Sequence, residues 1–159
     1  MEINGLPVHP LIVHAAVVLL PMAAVLASVH ACVTRWRWAT RWPTVAVTAA
    51  GLGTVVLAYF SGKDFIEQRY PEEVPSAVLL HEERGEILLW VTVVFTLVVL
   101  LAAWGLGGPS ALASGWGARG RHDGLVEWSL VGMVLFFALA VLLMAFATGE
   151  AGARAVWGG

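Results

Sequence analysis

The chain has 159 residues, of which 59% are hydrophobic and only 13% are charged, and its formal net charge is −2. A soluble domain is typically about half apolar and about one quarter charged, so this composition excludes an ordinary soluble globular protein. Nine basic residues against eleven acidic ones leave no basic patch for nucleic acid. A single cysteine excludes an intrachain disulfide framework.

Four long segments contain no Asp, Glu, Lys or Arg: residues 3–34, 42–62, 87–118 and 128–149. A helix needs about 20 mainly apolar residues to cross the hydrocarbon layer of a membrane, which is roughly 30 Å thick. The segments are continuous and rich in Leu, Val and Ala, without the strict alternation of a β-barrel. The sequence therefore predicts an all-α, integral membrane four-helix bundle that forms one domain over residues 1–159.

The first two predicted spans cover about residues 11–33 and 43–61. Between them lies the tryptophan-rich segment 34–42, which carries three arginines. Basic residues directly after a span mark the cytoplasmic side of a membrane. No basic residue precedes the first span, so we expect a retained helix with its N-terminus outside rather than a cleaved secretory signal.

The second half of the chain contains the third and fourth predicted spans. An acidic connection at 62–86 is expected outside, with Ser76 capping a third helix that begins before its span at about 87–104. The glycine-rich segment 105–123 returns to the cytoplasm, and the fourth span covers about 126–148. The predicted topology is N-out and C-out, and the sequence shows no internal repeat.

With this topology, each predicted helix carries polar groups to the same outer level. The first helix carries His14, with His9 just above it, and the second is followed by Asp64. The third enters the membrane with His81, and the fourth leaves it with Glu150. Ionisable groups at membrane depth are costly, usually face the bundle interior and mark functional sites.

The spacing of the two N-terminal histidines predicts which of them faces inward. His9 and His14 are five residues apart, so their side chains diverge by about 140° on a regular helix. We expect His14 to be the interior side chain and His9 to belong to the cap. His81 shares a face with Gly85, which leaves room for a bulky group. The predicted site is centred on His14, Asp64 and His81.

The sequence leaves several interpretations of this cluster open. Neutral histidines that hydrogen-bond to nearby carboxylates or backbone would only fix helix packing. Two imidazoles from different helices also form an axial ligand set for haem b, with Arg69 or Arg84 available for the propionates. A divalent metal at His14 and His81 is a third interpretation. A proton relay or a quinone contact would use the same groups.

Four motifs resemble a bacterial membrane family catalogued as domain of unknown function 2231. They are the opening segment GLPVHPLIVH at 5–14, the Ser-Gly-x-Asp at 61–64, His81 before the third span, and the glycine-containing tail at 149–157. The resemblance implies four helices and assigns no activity. Some members of that family carry a Rieske-type iron–sulfur domain on the same chain, which suggests a redox setting.

The leading hypothesis is a membrane subunit of a redox or electron-transfer complex in the bacterial cytoplasmic membrane, with haem b as the candidate cofactor. An enzymatic role is disfavoured. The alternatives are an accessory subunit with a purely structural cluster, and a metal-binding or transport protein. The expected partners are the lipid bilayer, a redox complex or iron–sulfur protein, and a second copy of the chain. The candidate cofactor-binding residues are His9, His14, Asp64, His81, Arg84 and Glu150.

Overall fold

The structure, a computed structural model, describes residues 2–3, 6–108, 112 and 124–157. Two short strands, β1 (Glu2–Ile3) and β2 (Leu6–Pro7), pair antiparallel just before the first helix, and a 3₁₀ turn at Thr34–Trp36 links the first two helices. The all-α prediction is confirmed. The four helices are α1 (Val8–Cys32), α2 (Arg37–Arg69), α3 (Ser76–Gly105) and α4 (Gly124–Trp157).

The helices form an antiparallel bundle in which each one packs against two neighbours. The α1–α2 and α3–α4 hairpins have the most extensive contacts, and the hairpins meet through α2–α3 and α1–α4. α1 and α3 therefore lie diagonally across the bundle. We call the end with His9 and His81 the histidine end, and the end with Arg37 and Glu127 the arginine end.

All four helices are long and apolar enough to cross a membrane. Their outward faces carry large apolar side chains, as α4 shows with Phe136, Leu139, Leu143 and Phe146, which are all exposed. Such a surface suits lipid tails rather than water. The chain is thus a multi-pass membrane protein.

Two of the helices extend well beyond their predicted spans. α2 begins at Arg37, before Pro43, and continues to Arg69. Within the predicted connection at 62–86, residues 62–69 belong to α2 and helix α3 begins at Ser76 as expected, so only residues 70–75 separate α2 from α3. Helix α4 likewise continues past its predicted span to Trp157. Ala, Glu, Gln, Lys and Arg are good helix formers, so a helix that is already nucleated propagates through polar sequence.

The start of α3 is confirmed, but its cap differs from the prediction. Ser76 is the first helical residue, and Pro75 occupies the N-cap position without a side-chain capping hydrogen bond. Most of the predicted glycine-rich loop at 105–123 lies outside the described residues.

The two hairpins repeat each other, which the sequence did not predict. When His9 is aligned with His81, the buried positions of α1 fall on the buried positions of α3. When Thr44 is aligned with Val134, buried positions of α2 likewise coincide with buried positions of α4. The buried pairs between α1 and α3 are Ala16 and Leu88, Leu20 and Thr92, Ala23 and Phe95, Ala24 and Thr96, Ala27 and Val99, His30 and Ala102, and Ala31 and Ala103. Those between α2 and α4 are Thr44 and Val134, Thr48 and Ala138, Gly51 and Val141, and Ser61 and Ala151.

The repeat is hidden in the sequence because equivalent positions carry different residue types. The α1 positions are mostly alanine, whereas α3 carries larger side chains such as Phe95 and Val99 at the same places. Small residues facing large ones fill a core at native density, so the two halves complement each other instead of matching. The correspondence between the hairpins lies in which positions are buried.

Candidate functional site between the two hairpins

His9, at the start of α1, is held against α2. Its Nδ1 lies 2.9 Å from the carbonyl oxygen of Ala58 and 3.4 Å from Oγ of Ser61. The imidazole rests on the backbone of Gly62, where an added Cβ would lie only 3.0 Å from His9 Cε1. Glycine at this position lets the ring approach the helix closely.

His81, near the start of α3, is held against α4 in the same way. Its Nδ1 lies 3.0 Å from the carbonyl oxygen of Thr148. A Cβ added at Gly152 would lie 3.0 Å from His81 Cε1. Gly152 follows Thr148 by four residues, as Gly62 follows Ala58. Each hairpin therefore builds the same half-site from one histidine, one carbonyl and one glycine.

These hydrogen bonds determine which ring nitrogen carries the proton. A carbonyl oxygen only accepts, so Nδ1 must donate in both His9 and His81. In the neutral ring, Nε2 then keeps its lone pair and can bind a metal or accept a proton. Within the described part of the chain, neither Nε2 has a hydrogen-bond partner. The backbone thus presents two oriented imidazoles with the second nitrogen of each available.

The two half-sites meet at the centre of the histidine end. The ring centroids of His9 and His81 are 6.2 Å apart, and the ring planes are inclined at 76°. The histidines belong to diagonal helices in different hairpins, so their proximity exists only when the hairpins are docked. The pair marks the junction of the two repeats.

A cavity of about 630 Å³ surrounds the histidine pair and extends between the hairpins. Its lining comes from equivalent positions of both halves and is mainly apolar, with few polar side chains. The lining pairs include Val13 and Gly85, Ala16 and Leu88, Val55 and Ala145, Ala58 and Thr148, Gly62 and Gly152, and Ile66 and Val156. A cavity of this kind suits a largely apolar ligand that is bordered by one histidine from each hairpin.

The predicted preference for His14 over His9 as the interior side chain is wrong. His14 is exposed, its Nδ1 bonds the carbonyl of Pro10 one turn earlier, and it lines the cavity only from the α1 side. His9 instead reaches α2 because α1 already begins at Val8. The two side chains do diverge, but helix α1 begins at Val8, so His9 is already a helical residue rather than part of the cap.

The other predicted site residues lie around the cavity without lining it. Asp64 is half-buried on α2, outside the lining. Glu150 is exposed and pairs with Arg154 at 2.6 Å, one turn along α4. Arg84 donates to the carbonyl oxygen of Ala147 at 2.9 Å. Of the predicted set, the structure brings together His9, His81 and, at the margin, His14.

The carboxylates do not join the histidines to form a chelating group. Among the described residues, no three His, Cys, Asp or Glu side chains lie close enough to hold a metal ion between them. The pair of imidazoles is therefore the ligand set that the structure offers.

The arginine end contains an interaction network that the sequence did not predict. Arg37 is 2% exposed, although its position after the first span indicated only a cytoplasmic charge. Its guanidinium donates to the carbonyl oxygens of His30, Ala31 and Gly107, and to Oε1 of Glu127 at 2.6 Å. These carbonyls close the ends of α1 and α3, where helices leave acceptors unsatisfied.

Comparison of the chain with models of known protein families, with curated proteins and with solved structures finds no match. The resemblance to domain of unknown function 2231 stays a prediction from the motifs.

Proposed function

We propose that this chain is an integral membrane subunit of an electron-transfer complex and that it holds haem b between His9 and His81. One observation carries the proposal. Each hairpin supplies one imidazole whose Nδ1 is tied to a backbone carbonyl, and both rings border a shared cavity. Two histidines from different helices form a recognised type of axial ligand pair.

The geometry of the pair fits a single metal centre. Because a metal–nitrogen bond is about 2 Å long, two imidazoles need to lie only a few ångströms apart to share one metal ion. The centroids of His9 and His81 are 6.2 Å apart. The cavity of about 630 Å³ also falls within the range of roughly 300–1,000 Å³ that cofactor pockets occupy.

The residues of the site orient the ligand nitrogens and exclude water. The carbonyls of Ala58 and Thr148 set the ring orientation and keep the proton on Nδ1, as second-shell acceptors do in metal sites. The apolar lining lowers the local polarity around the bound group. Haem b, when bound, supplies one-electron transfer. The lone cysteine cannot hold an iron–sulfur cluster, so an iron–sulfur donor or acceptor would be a separate partner.

The proposal places the site at the extracytoplasmic face of the bacterial cytoplasmic membrane. Arg35, Arg37 and Arg41 follow α1 at the opposite end of the bundle, where the positive-inside rule indicates cytoplasm. Both half-sites then face the outer compartment, which is the side from which a partner would exchange electrons.

The test is an absorption spectrum of the purified protein, expressed with added haem precursor and recorded oxidised and dithionite-reduced. We expect a Soret band with sharp reduced α and β bands. His9→Asn and His81→Asn should each abolish them, because asparagine keeps an N–H for the carbonyl but has no Nε2. His14→Ala is the matched control and should retain the bands. Full haem content in both asparagine variants would overturn ligation by this pair.

A structural role is the alternative that the same hydrogen bonds favour. His9 and His81 each link the two helices of a hairpin, which by itself stabilises the bundle. This alternative predicts a flat spectrum in the presence of haem. It also predicts that both asparagine variants unfold like the parent while alanine variants are weaker, which thermal unfolding in detergent would show.

A further inference from the structure

The two mouths of the cavity differ although the hairpins repeat each other. In the groove between α2 and α3, the lining includes Tyr59, Lys63 and Glu82. The equivalent positions in the groove between α1 and α4 are Gly149, Ala153 and Pro10. One mouth therefore carries a phenol and the ion pair of Lys63 with Glu82, and the other carries small, uncharged residues.

Lys63 is placed to meet an anionic group at the polar mouth. Among the described residues it is the one Lys or Arg side chain in the cavity lining. Its Nζ lies 3.9 Å from Oε1 of Glu82 and 4.9 Å from the centre of the Tyr59 ring. An ammonium has three donors, so it can bind a second carboxylate while it keeps Glu82.

The arginine predicted for this purpose is engaged elsewhere. Arg84 donates to the carbonyl oxygen of Ala147 on α4 and lies outside the cavity lining. Thr148 also donates its hydroxyl to the carbonyl oxygen of Arg84, which holds this part of α3 against α4. Arg84 is thus part of the hairpin contact.

We propose that the cavity binds its ligand in one orientation, with the carboxylate edge at Lys63 in the α2–α3 groove and the apolar edge in the α1–α4 groove. This rests on the proposed function, for which the carboxylates are the two propionates of haem b. The repeat of the hairpins gives the cavity two similar sides. The ammonium donors of Lys63, which the equivalent Ala153 does not provide, distinguish the two orientations of a bound ligand. The ligand class is a flat amphipathic molecule with an anionic edge.

Two probes, haem b and its dimethyl ester, are titrated into the purified protein in detergent after removal of any haem. The ester has the same ring and iron but no carboxylate charge. We expect Lys63→Gln to weaken haem b about threefold and Lys63→Glu about tenfold, because a partly exposed charge pair contributes modestly and a like charge repels. Ester binding should be unchanged in both variants.

The repeat provides a matched rescue variant. Ala153 is exposed and occupies the position equivalent to Lys63. Lys63→Ala with Ala153→Lys should restore haem b affinity to within about twofold of the parent, since a single charge in either mouth meets the same edge of a ligand that has been turned over. Restoration supports the proposal.

The outcomes separate this inference from the proposed function. If the parent binds haem b and the Lys63 variants bind both probes equally well, the orientation is wrong while haem ligation stands. Equal weakening of haem b and ester also overturns it, since Lys63 would then act on the fold. If the parent binds neither probe, the proposed function and this inference both fail.

Discussion

The two ends of the bundle use buried polar groups in opposite ways. At the arginine end, Arg37 bonds three backbone carbonyls and the carboxylate of Glu127. At the histidine end, His9 and His81 are anchored through one nitrogen each, and the second borders a cavity. A side chain that bonds several groups at once closes a structure, whereas an oriented ring with one nitrogen left over provides a binding site.

The internal repeat makes this comparison sharper. Arg37 and Glu127 occupy equivalent positions of α2 and α4, and His9 and His81 occupy equivalent positions of α1 and α3. Where equivalent residues carry opposite charges, they neutralise each other across the hairpins. Where they are identical, they form two equal halves of one site. The same repeat thus produces the Arg37–Glu127 ion pair at the arginine end and the His9–His81 pair at the histidine end.

The largest expected effect on stability is at Arg37, which pairs with Glu127. Arg37→Ala should lower the free energy of unfolding by about 3 kcal/mol, because it leaves Glu127 unpaired and removes the donor from several buried carbonyls. Thermal unfolding in detergent measures this change. Arg35→Ala, which removes only an exposed cation near Trp36, is the control and should change stability by less than about 0.5 kcal/mol. Equal melting of the two variants would contradict the role of Arg37.

A smaller effect is expected where the histidines rest on glycine. Gly62→Ala and Gly152→Ala each place a methyl group 3.0 Å from a histidine ring, so the ring must shift. We expect about tenfold weaker haem binding in both, from misplacement of the imidazole. Gly132→Ala is the matched control, because nothing lies within 4 Å of its added Cβ. It should bind haem like the parent and gain stability from better helix propensity, up to about 1 kcal/mol.

If only one of the two glycine variants loses haem, the half-sites are not equivalent. Loss of stability without loss of haem would show that the glycines serve packing alone. Haem titration and thermal unfolding of the same samples distinguish these results.

The smallest effect is expected at Glu150, which the sequence placed in the site and the structure places beside it. Glu150→Gln removes the ion pairs with Arg154 at 2.6 Å and with Arg84 at 3.9 Å, both largely open to solvent, and should change stability by less than about 0.5 kcal/mol. Haem affinity should stay within about twofold of the parent, because Glu150 does not line the cavity. Loss of the Soret band in this variant would extend the site beyond the histidine pair.

Much of the bundle follows from local sequence. Charge-free apolar segments of sufficient length specify the number of helices, since length and hydropathy are properties of each segment alone. The sequence also predicted that His9 and His81 lie at the same end of the bundle, because their distance from the middle of each span can be counted along the chain. The helix ends did not follow, because residues 62–69 and 149–157 are polar enough for a loop and also good helix formers.

Tertiary structure alone decided which groups meet. Whether His9 or His14 faces inward depends on where α1 begins and which carbonyl of α2 lies opposite. The need for glycine at positions 62 and 152 can be recognised only from the histidine rings that pack against them. The sequence by itself determined four apolar helices and a polar level, because those depend on neighbours along the chain. The histidine pair depends on the docking of two hairpins, which no single segment encodes.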